Sequence, residues 1–228
     1  MSTVTRVPLF NMAAMKLKYS LRAHKAAVTS LAALSELFLI SGDSDGWLFK
    51  WDLETRRPLQ QVKAHSGNGG VIKVATATIG DIQMLISQGR DGKLTLWELF
   101  PKLLAVTTID VNALNFCGFD HGKLGVLVVS SNANFFDVWD PILSKSVRKN
   151  VGTGDSGLVM ALKWHEQSII AGYEDGSILQ WSENESELLH LFTQPVLSID
   201  TRDNLMAFSS ADGYMVLLDK LTKKVSLI

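Results

Sequence analysis

The chain reads SGDSDGWLFKWD over residues 41–52, a tight turn followed by an aromatic-rich strand. Asp45-Gly46 is a strong short-range hairpin signal, because a two-residue turn needs positive φ and both residues tolerate it. Trp51 stands five residues after Gly46, and the continuous apolar run Leu37–Ile40 precedes the turn. The stretch therefore predicts two antiparallel strands joined by a tight turn.

The same spacing between turn and closing residue recurs four more times. The later copies are Asp91-Gly92 with Trp97, Ala133-Asn134 with Trp139, Asp175-Gly176 with Trp181, and Asp212-Gly213 with Leu218. The second turn residues stand at positions 46, 92, 134, 176 and 213, so successive copies lie 37 to 46 residues apart. A period in this range is typical of propeller repeat arrays.

Each period holds enough strand-length segments for one propeller blade. Residues 24–63 contain four, at 28–32, 37–40, 47–51 and 59–62. We therefore predict an all-β protein, a β-propeller with five recognisable blades over residues 16–228, after an N-terminal tail at 1–15. The predicted repeats run approximately over 24–63, 64–108, 109–149, 150–192 and 193–228.

Two of the strand predictions are specific enough to be checked separately. The third repeat is predicted to open with a strand at 111–116, followed by strands at 124–130 and 135–139. Residues Lys16–Arg22 are interpreted as one more outer strand, placed before the first full repeat. No window shows sustained 3.6-residue periodicity, so no helix is expected within the repeats.

The composition is that of an ordinary globular protein and gives no support for binding to nucleic acid or to anionic membranes. The 228 residues are 46% hydrophobic and 20% charged, with a formal net charge of -1. A near-zero charge gives no electrostatic basis for binding nucleic acid or anionic membranes directly. Cys117 is the single cysteine, so no intramolecular disulfide can form, and a reducing compartment is the easier fit.

The first two repeats resemble the WD40 family. The resemblance rests on Ala23-His24 and residues 41–52 in the first repeat, and on Ala64-His65 with residues 87–98 in the second. In that family a His, a Ser, the turn Asp and the Trp form a buried hydrogen-bonded tetrad. The resemblance implies structural tetrads of His24, Ser41, Asp45 and Trp51, and of His65, Ser87, Asp91 and Trp97.

The later repeats keep only part of this pattern. The fourth has Asp175 and Trp181 but Ala171 at the Ser position, the third retains Trp139, and the fifth retains Asp212. These three blades are expected to be held mainly by apolar packing.

A subgroup of the family is similar over two further stretches. Residues 169–181, IIAGYEDGSILQW, and residues 115–119, NFCGF, resemble the ASTRA-associated WD-repeat proteins, whose animal counterparts are named G-protein β-subunit-like. The resemblance implies a non-catalytic scaffold in the nucleus, with the cytoplasm as a second location. It implies ASTRA and cochaperone subunits as protein partners, and roles in chromatin remodelling and in maturation of the kinases related to phosphatidylinositol 3-kinase.

Two rival functions stay open at this stage. One is a generic WD40 adaptor in signalling or ubiquitin ligation, and the other is a propeller enzyme. His24, Ser41 and Asp45 have the residue types of a hydrolase triad, but their duplication in the next repeat favours architecture. Residues 152–157 match G-x-G-x-x-G without room for the following helix that dinucleotide binding needs. We expect no catalytic residue, no cofactor and no metal site.

The count of five repeats leaves the closure of the ring open. Most WD40 rings have seven blades, and two further repeats would need roughly 80 more residues. The chain is therefore either a truncated or divergent member of a seven-bladed ring, or a five-bladed ring with a surplus outer strand. We expect an open or strained closure between the first and fifth blades, because sheet edges have to be hidden.

Overall fold

The structure is a computed structural model that describes residues 18–66, 70–111, 113, 115–122, 125–131, 134–183, 185–222 and 224–227. These residues form five separate four-stranded antiparallel sheets. In each sheet the strands are hydrogen-bonded in chain order, as in a propeller blade. The predicted all-β propeller architecture is confirmed. No helix in the described residues is long and apolar enough to cross a membrane.

The twenty strands divide evenly among the blades. Blade 1 contains β1 (Val28–Ala33), β2 (Phe38–Asp43), β3 (Trp47–Asp52) and β4 (Arg57–Lys63), and blade 2 contains β5 (Val71–Ile79), β6 (Ile82–Gly89), β7 (Lys93–Glu98) and β8 (Leu104–Asp110). Blade 3 contains β9 (Asp120–His121), β10 (Leu127–Ser130), β11 (Phe136–Asp140) and β12 (Lys145–Val151). Blade 4 contains β13 (Val159–His165), β14 (Ser168–Tyr173), β15 (Ser177–Ser182) and β16 (Glu185–Leu191), and blade 5 contains β17 (Val196–Arg202), β18 (Leu205–Ser210), β19 (Met215–Asp219) and β20 (Lys224–Leu227).

The Asp-Gly turns join the second and third strands of blades 1, 2, 4 and 5. Their glycines, at positions 46, 92, 176 and 213, have φ values of 83°, 75°, 90° and 87°. Each glycine N–H donates to the carbonyl three residues earlier, which closes the turn. Positive φ at this point is the reason for glycine, because a side chain there would strain the backbone.

Four apolar clusters hold the blades together. Each cluster combines residues of two successive blades, for blades 1 and 2, 2 and 3, 3 and 4, and 4 and 5. The core therefore lies between the sheets, where the two inner faces of neighbouring blades meet. In the described residues, none of the four clusters contains residues of both blade 1 and blade 5. An open or strained closure between those two blades stays a prediction.

The third blade begins later than predicted. The expected first strand at 111–116 is wrong in its described part, since β9 is a two-residue strand at Asp120–His121, and Asn112 and Leu114 lie outside the described residues. The preceding segment contacts blade 2 instead of pairing within its own sheet: Gln88 Nε2 donates to the carbonyl of Cys117 at 3.0 Å, and Phe119 N donates to Gln88 Oε1 at 2.7 Å. The predicted outer strand at 16–22 is also wrong in its described part, because residues 18–22 have no strand pairing. Lys16 and Leu17 lie outside the described residues.

Candidate functional site

The first candidate set lies on the face of blade 1 that points away from blade 2. His24 Nδ1 lies 2.7 Å from Asp43 Oδ2, and His24 Nε2 lies 2.5 Å from Ser41 Oγ. The indole of Trp51 donates to the same hydroxyl oxygen at 2.7 Å. The structure thus brings His24, Ser41 and Trp51 together, and it adds Asp43 to them.

The proton positions in this set follow from what each group can donate. A carboxylate accepts, so His24 carries its proton on Nδ1 toward Asp43, and Nε2 accepts the hydroxyl proton of Ser41. The indole can only donate, so it occupies the remaining side of the Ser41 oxygen. Ser41 is 2% exposed. A nucleophilic oxygen needs access to a substrate carbonyl, and this one is buried between two ring systems.

The predicted member Asp45 does not join the set. Its side chain is exposed, and Asp43 takes its place at His24. Asp43 Oδ1 also accepts the N–H groups of Asp45 and Trp47, at 3.1 and 2.9 Å, so its carboxylate holds the turn and the histidine at once. Because Asp43 already fills the space beside His24, Asp45 is directed outward.

The second set uses all four residues implied by the resemblance. His65 Nδ1 lies 3.0 Å from Asp91 Oδ1 and Nε2 lies 2.9 Å from Ser87 Oγ, while Trp97 Nε1 donates to Ser87 Oγ at 3.0 Å. Burial lowers the pKa of His65, and the nearby carboxylate of Asp91 offsets this in part. Gly89 stands where Asp43 stands in blade 1, and a Cβ there would lie 2.3 Å from the ring of His65.

The later blades replace these hydrogen bonds with apolar contacts. The indole N–H groups of Trp139 and Trp181 are buried and have no hydrogen-bond partner among the described residues. Tyr173 stands where blade 1 has Asp43; it is fully buried, and burial raises the pKa of its phenol to about 12. Among the described residues, the set of a histidine, a serine and an indole thus occurs in blades 1 and 2 alone.

Asp175 and Asp212 act within their own turns. Asp175 Oδ1 accepts from Ser177 N and Ser177 Oγ, at 2.8 and 2.6 Å. Asp212 accepts from Tyr214 N and from Thr193 Oγ1, both at 3.1 Å. Both carboxylates therefore hold the turn between the second and third strands of their blades, a role that Asn and Asp commonly have in turns.

A row of alternating charges connects blades 2 to 5 along their first strands. Lys73 Nζ lies 3.6 Å from Asp120 Oδ1, Lys163 Nζ lies 4.0 Å from Asp120 Oδ2, and Lys163 Nζ lies 3.0 Å from Asp200 Oδ1. Burial alone would lower the pKa of Lys163, but Asp120 and Asp200 raise it above its ordinary value. These four residues were not predicted from the sequence, because no local pattern links charges that are spaced about 40 residues apart.

Other chemistry-bearing residues do not converge on a reaction site. Cys117 is buried, and burial raises the pKa of its thiol to about 12, so it stays a neutral thiol. Among the described residues no three His, Cys, Asp or Glu side chains are grouped as metal ligands would be. Residues 152–157 form the loop between β12 and β13, and a strand follows the loop where dinucleotide binding requires a helix.

Sequence comparison gives a family match and similar proteins. The family described as WD40, "WD domain, G-beta repeat", matches residues 15–52. ASTRA-associated protein 1 of Yarrowia lipolytica is 29% identical over 86% of this chain and 54% of its own length. Guanine nucleotide-binding protein subunit beta-like protein 1 of Mus musculus is 29% identical over 80% of this chain and 62% of its own length. The chain thus spans little more than half the length of these two relatives.

Among solved structures, the crystal structure of the computationally designed Ika8 protein is similar in fold. Its TM-score is 0.69 at 21% sequence identity, over 92% of this chain and 64% of that chain. At this identity the likeness supports the fold alone. Together with the five antiparallel sheets, it supports a β-propeller fold for a chain whose residues 15–52 match the WD40 repeat and which is similar in sequence to proteins named ASTRA-associated protein 1.

Proposed function

We propose that the chain is a non-catalytic protein-interaction scaffold that works as a subunit of the ASTRA complex. Similarity to ASTRA-associated protein 1 over 86% of the chain is the observation that carries this proposal. Within that complex the proposed roles are in chromatin remodelling and in maturation of kinases related to phosphatidylinositol 3-kinase. The proposed location is the nucleus, with the cytoplasm second, and the proposed partners are ASTRA and cochaperone subunits.

The geometry of the polar sets supports a scaffold over an enzyme. Ser41 and Ser87 each accept an indole N–H and contact a histidine, so these hydroxyls are fully engaged inside the protein. The two sets occur in successive blades at the same place in the sheet. This placement indicates a repeated structural role, because each set links the segment before the first strand of a blade to its second and third strands.

The outer strands offer surface suited to protein contacts. β8 exposes Leu104 and Val106 at 61% and 53%, and β16 exposes Leu188 and Leu191 at 56% and 60%. Apolar side chains ringed by polar ones are typical of the centres of protein interfaces. Several such positions around one molecule support binding to more than one partner.

Affinity purification of the tagged chain from cells tests the proposal. We expect enrichment of ASTRA subunits, cochaperone subunits and kinases of the phosphatidylinositol 3-kinase-related class over a tagged, unrelated propeller. Recovery of other proteins without any of these would reject the ASTRA assignment and leave a generic WD40 adaptor. Recovery of the bait alone would reject the scaffold itself.

A further inference from the structure

A groove, here called the 4–5 groove, lies between blades 4 and 5. It consists of two adjoining cavities of about 650 and 370 Å³ that share Gln180 and Lys220 in their walls. Cavities of this size are in the range, roughly 300–1,000 Å³, that binding sites occupy. The larger is lined also by Glu166, Gln167, Ser168, Ser182, Glu183 and Glu185, and the smaller also by Glu187, Leu188, Leu189, Leu218 and Val225.

The corresponding position between blades 1 and 2 is filled by the chain itself. There the residue before the closing Trp is Lys50, and its cross-strand partner is Gln60. Lys50 Nζ donates to the carbonyl of Leu99 at 2.6 Å, and Gln60 exchanges two hydrogen bonds with the backbone of Leu103, at 2.9 and 2.7 Å. The filling segment is 99–103, the connection between β7 and β8.

A side chain of that segment also enters the corner between the sheets. The Phe100 ring lies 5.9 Å from the ring of Phe38, and Lys50 Nζ lies 3.9 Å from the Phe100 ring centroid. Leu99 and Leu103 are buried at 3% and 4%. The 1–2 interface thus shows what this corner of a blade accepts: a short, bent segment of chain whose apolar side chains contact both sheets.

In blade 4 the equivalent pair is Gln180 and Glu187, which are also cross-strand partners. Gln180 Nε2 donates within its own blade, to Ser168 Oγ at 2.9 Å. In the described part of the connection after β19, residues 220–222, Leu221 N and Thr222 N donate back to Asp219 Oδ1, at 2.9 and 3.2 Å, and not to this pair. The corner that residues 99–103 fill between blades 1 and 2 is therefore open between blades 4 and 5.

The walls of the 4–5 groove specify the chemistry of an occupant. Glu185 and Glu187 are exposed, and within the described part of the chain neither carboxylate has an ion-pair or hydrogen-bond partner. Among the described wall residues the single cation is Lys220, which already lies 3.4 Å from Glu166. The other wall is apolar, with Leu189 and Leu218 packed against the cluster between blades 4 and 5 and Val225 exposed at 51%. Basic and apolar side chains on one segment would match the two walls.

We propose that the 4–5 groove binds a short segment of a partner protein that carries both basic and apolar side chains. The segment takes the place that residues 99–103 take between blades 1 and 2, with Gln180 facing its backbone. Its basic side chains face Glu185 and Glu187, and its apolar side chains face Leu218 and Val225. This proposal rests on the proposed scaffold function and adds to it the place and chemistry of one partner contact.

The test uses the full chain and a fluorescein-labelled hexapeptide of alternating lysine and leucine, followed by fluorescence anisotropy. We expect saturable binding that Glu185→Gln with Glu187→Gln weakens roughly tenfold, since each exposed charge contributes modestly to binding. The matched control Glu36→Gln with Glu54→Gln removes two exposed carboxylates from blade 1 and should change the affinity less than about twofold. All four sites are exposed, so both variants should keep the thermal midpoint of the wild type.

The apolar wall is tested in the same assay. Val225→Ser should weaken binding roughly fivefold, because it removes an apolar contact, and Leu59→Ser, at a leucine of similar exposure on β4, should leave it unchanged. Equal losses in groove and control variants, or no saturable binding, would overturn the proposal. A dimer of the chain that Glu185→Gln with Glu187→Gln abolishes would also overturn it, by assigning the groove to a second copy.

Failure here can be separated from failure of the scaffold function. If the peptide does not bind but the tagged chain still recovers partners from cells, the 4–5 groove assignment is wrong and the scaffold stands. If the peptide binds through Glu185 and Glu187 but no partner is recovered, the groove assignment stands and the scaffold function is wrong.

Discussion

At the turn of blade 1, two carboxylates two residues apart have different roles. Asp43 bridges His24 and two backbone N–H groups and is buried, whereas Asp45 is exposed. In blade 2 the position equivalent to Asp43 is Gly89, which leaves room for Asp91 to reach His65. The residue two places after the Ser thus decides which aspartate ties the histidine.

Substitution of these two aspartates should therefore have unequal effects on stability. Asp43→Ala removes the partner of a buried imidazole and of two N–H groups, so it should lower the free energy of unfolding by about 2 kcal/mol. Asp45→Ala should change it by no more than about 0.5 kcal/mol, as is usual for exposed positions. Urea unfolding of both variants measures this, and equal losses would show that the roles are not divided as described.

The histidines make stability depend on pH in a defined window. Burial lowers the pKa of His65, of His165 and of His190 below the ordinary value of 6.5. The unfolded chain therefore binds more protons than the folded chain just below pH 6.5, and stability falls as the pH falls. We expect a lower urea midpoint at pH 5.5 than at pH 7.5. An unchanged or higher midpoint at pH 5.5 would be inconsistent with these lowered pKa values.

At the scale of elements, neighbouring blades approach closely where a small residue follows the Ser position, which is occupied by Ser41, Ser87 and Ala171 in blades 1, 2 and 4. A Cβ at Gly42 would lie 2.5 Å from Val71 Cγ1, and a Cβ at Gly172 would lie 2.5 Å from Val196 Cγ1. Each valine opens the next blade. In blade 2 the equivalent residue is Gln88, and there the entry of blade 3 is hydrogen-bonded instead of packed. The closeness of this local approach thus depends on the residue after the Ser position in blades 1, 2 and 4.

Filling one of these contacts should loosen the interface between blades 4 and 5. Gly172→Ala should destabilise the protein by about 1–3 kcal/mol, because the added methyl group overpacks a buried interface. Val196→Ala alone should also destabilise it, by removal of buried methyl groups. The double variant should be more stable than the sum of the two losses predicts. Strict additivity in a thermal or urea double-mutant cycle would show that the two side chains do not compete for space.

The accuracy of the sequence predictions follows the strength of the local signals. The Asp-Gly turns placed β2 and β3, and their counterparts in blades 2, 4 and 5, close to their observed positions, because glycine at positive φ fixes a turn locally. The first strand of blade 3 was misplaced, because residues 117–119 bond to Gln88 of another blade. Asp43 was missed because Ser41 is followed by two candidate aspartates, and only the three-dimensional packing distinguishes them.

At the scale of the whole molecule, apolar packing and charge pairs both hold successive blades together. Apolar clusters join all four successive pairs, and the row from Lys73 through Asp120 and Lys163 to Asp200 adds charge pairs across blades 2 to 5. The polar sets of His24 and His65 lie inside blades 1 and 2. The residues that hold the fold are thus separate from the exposed surfaces that are proposed to bind partners.

That separation is the central claim, and the double variant Ser41→Ala with Ser87→Ala tests it most directly. Each substitution leaves the Nε2 atom of an imidazole and an indole N–H without a partner, at a cost of roughly 1–3 kcal/mol per site. Thermal unfolding and affinity purification are measured on the same preparations, below the midpoint of the variant. The account predicts a lowered midpoint with partner recovery unchanged per folded molecule. An unchanged midpoint with loss of partners or of an enzymatic activity would contradict it.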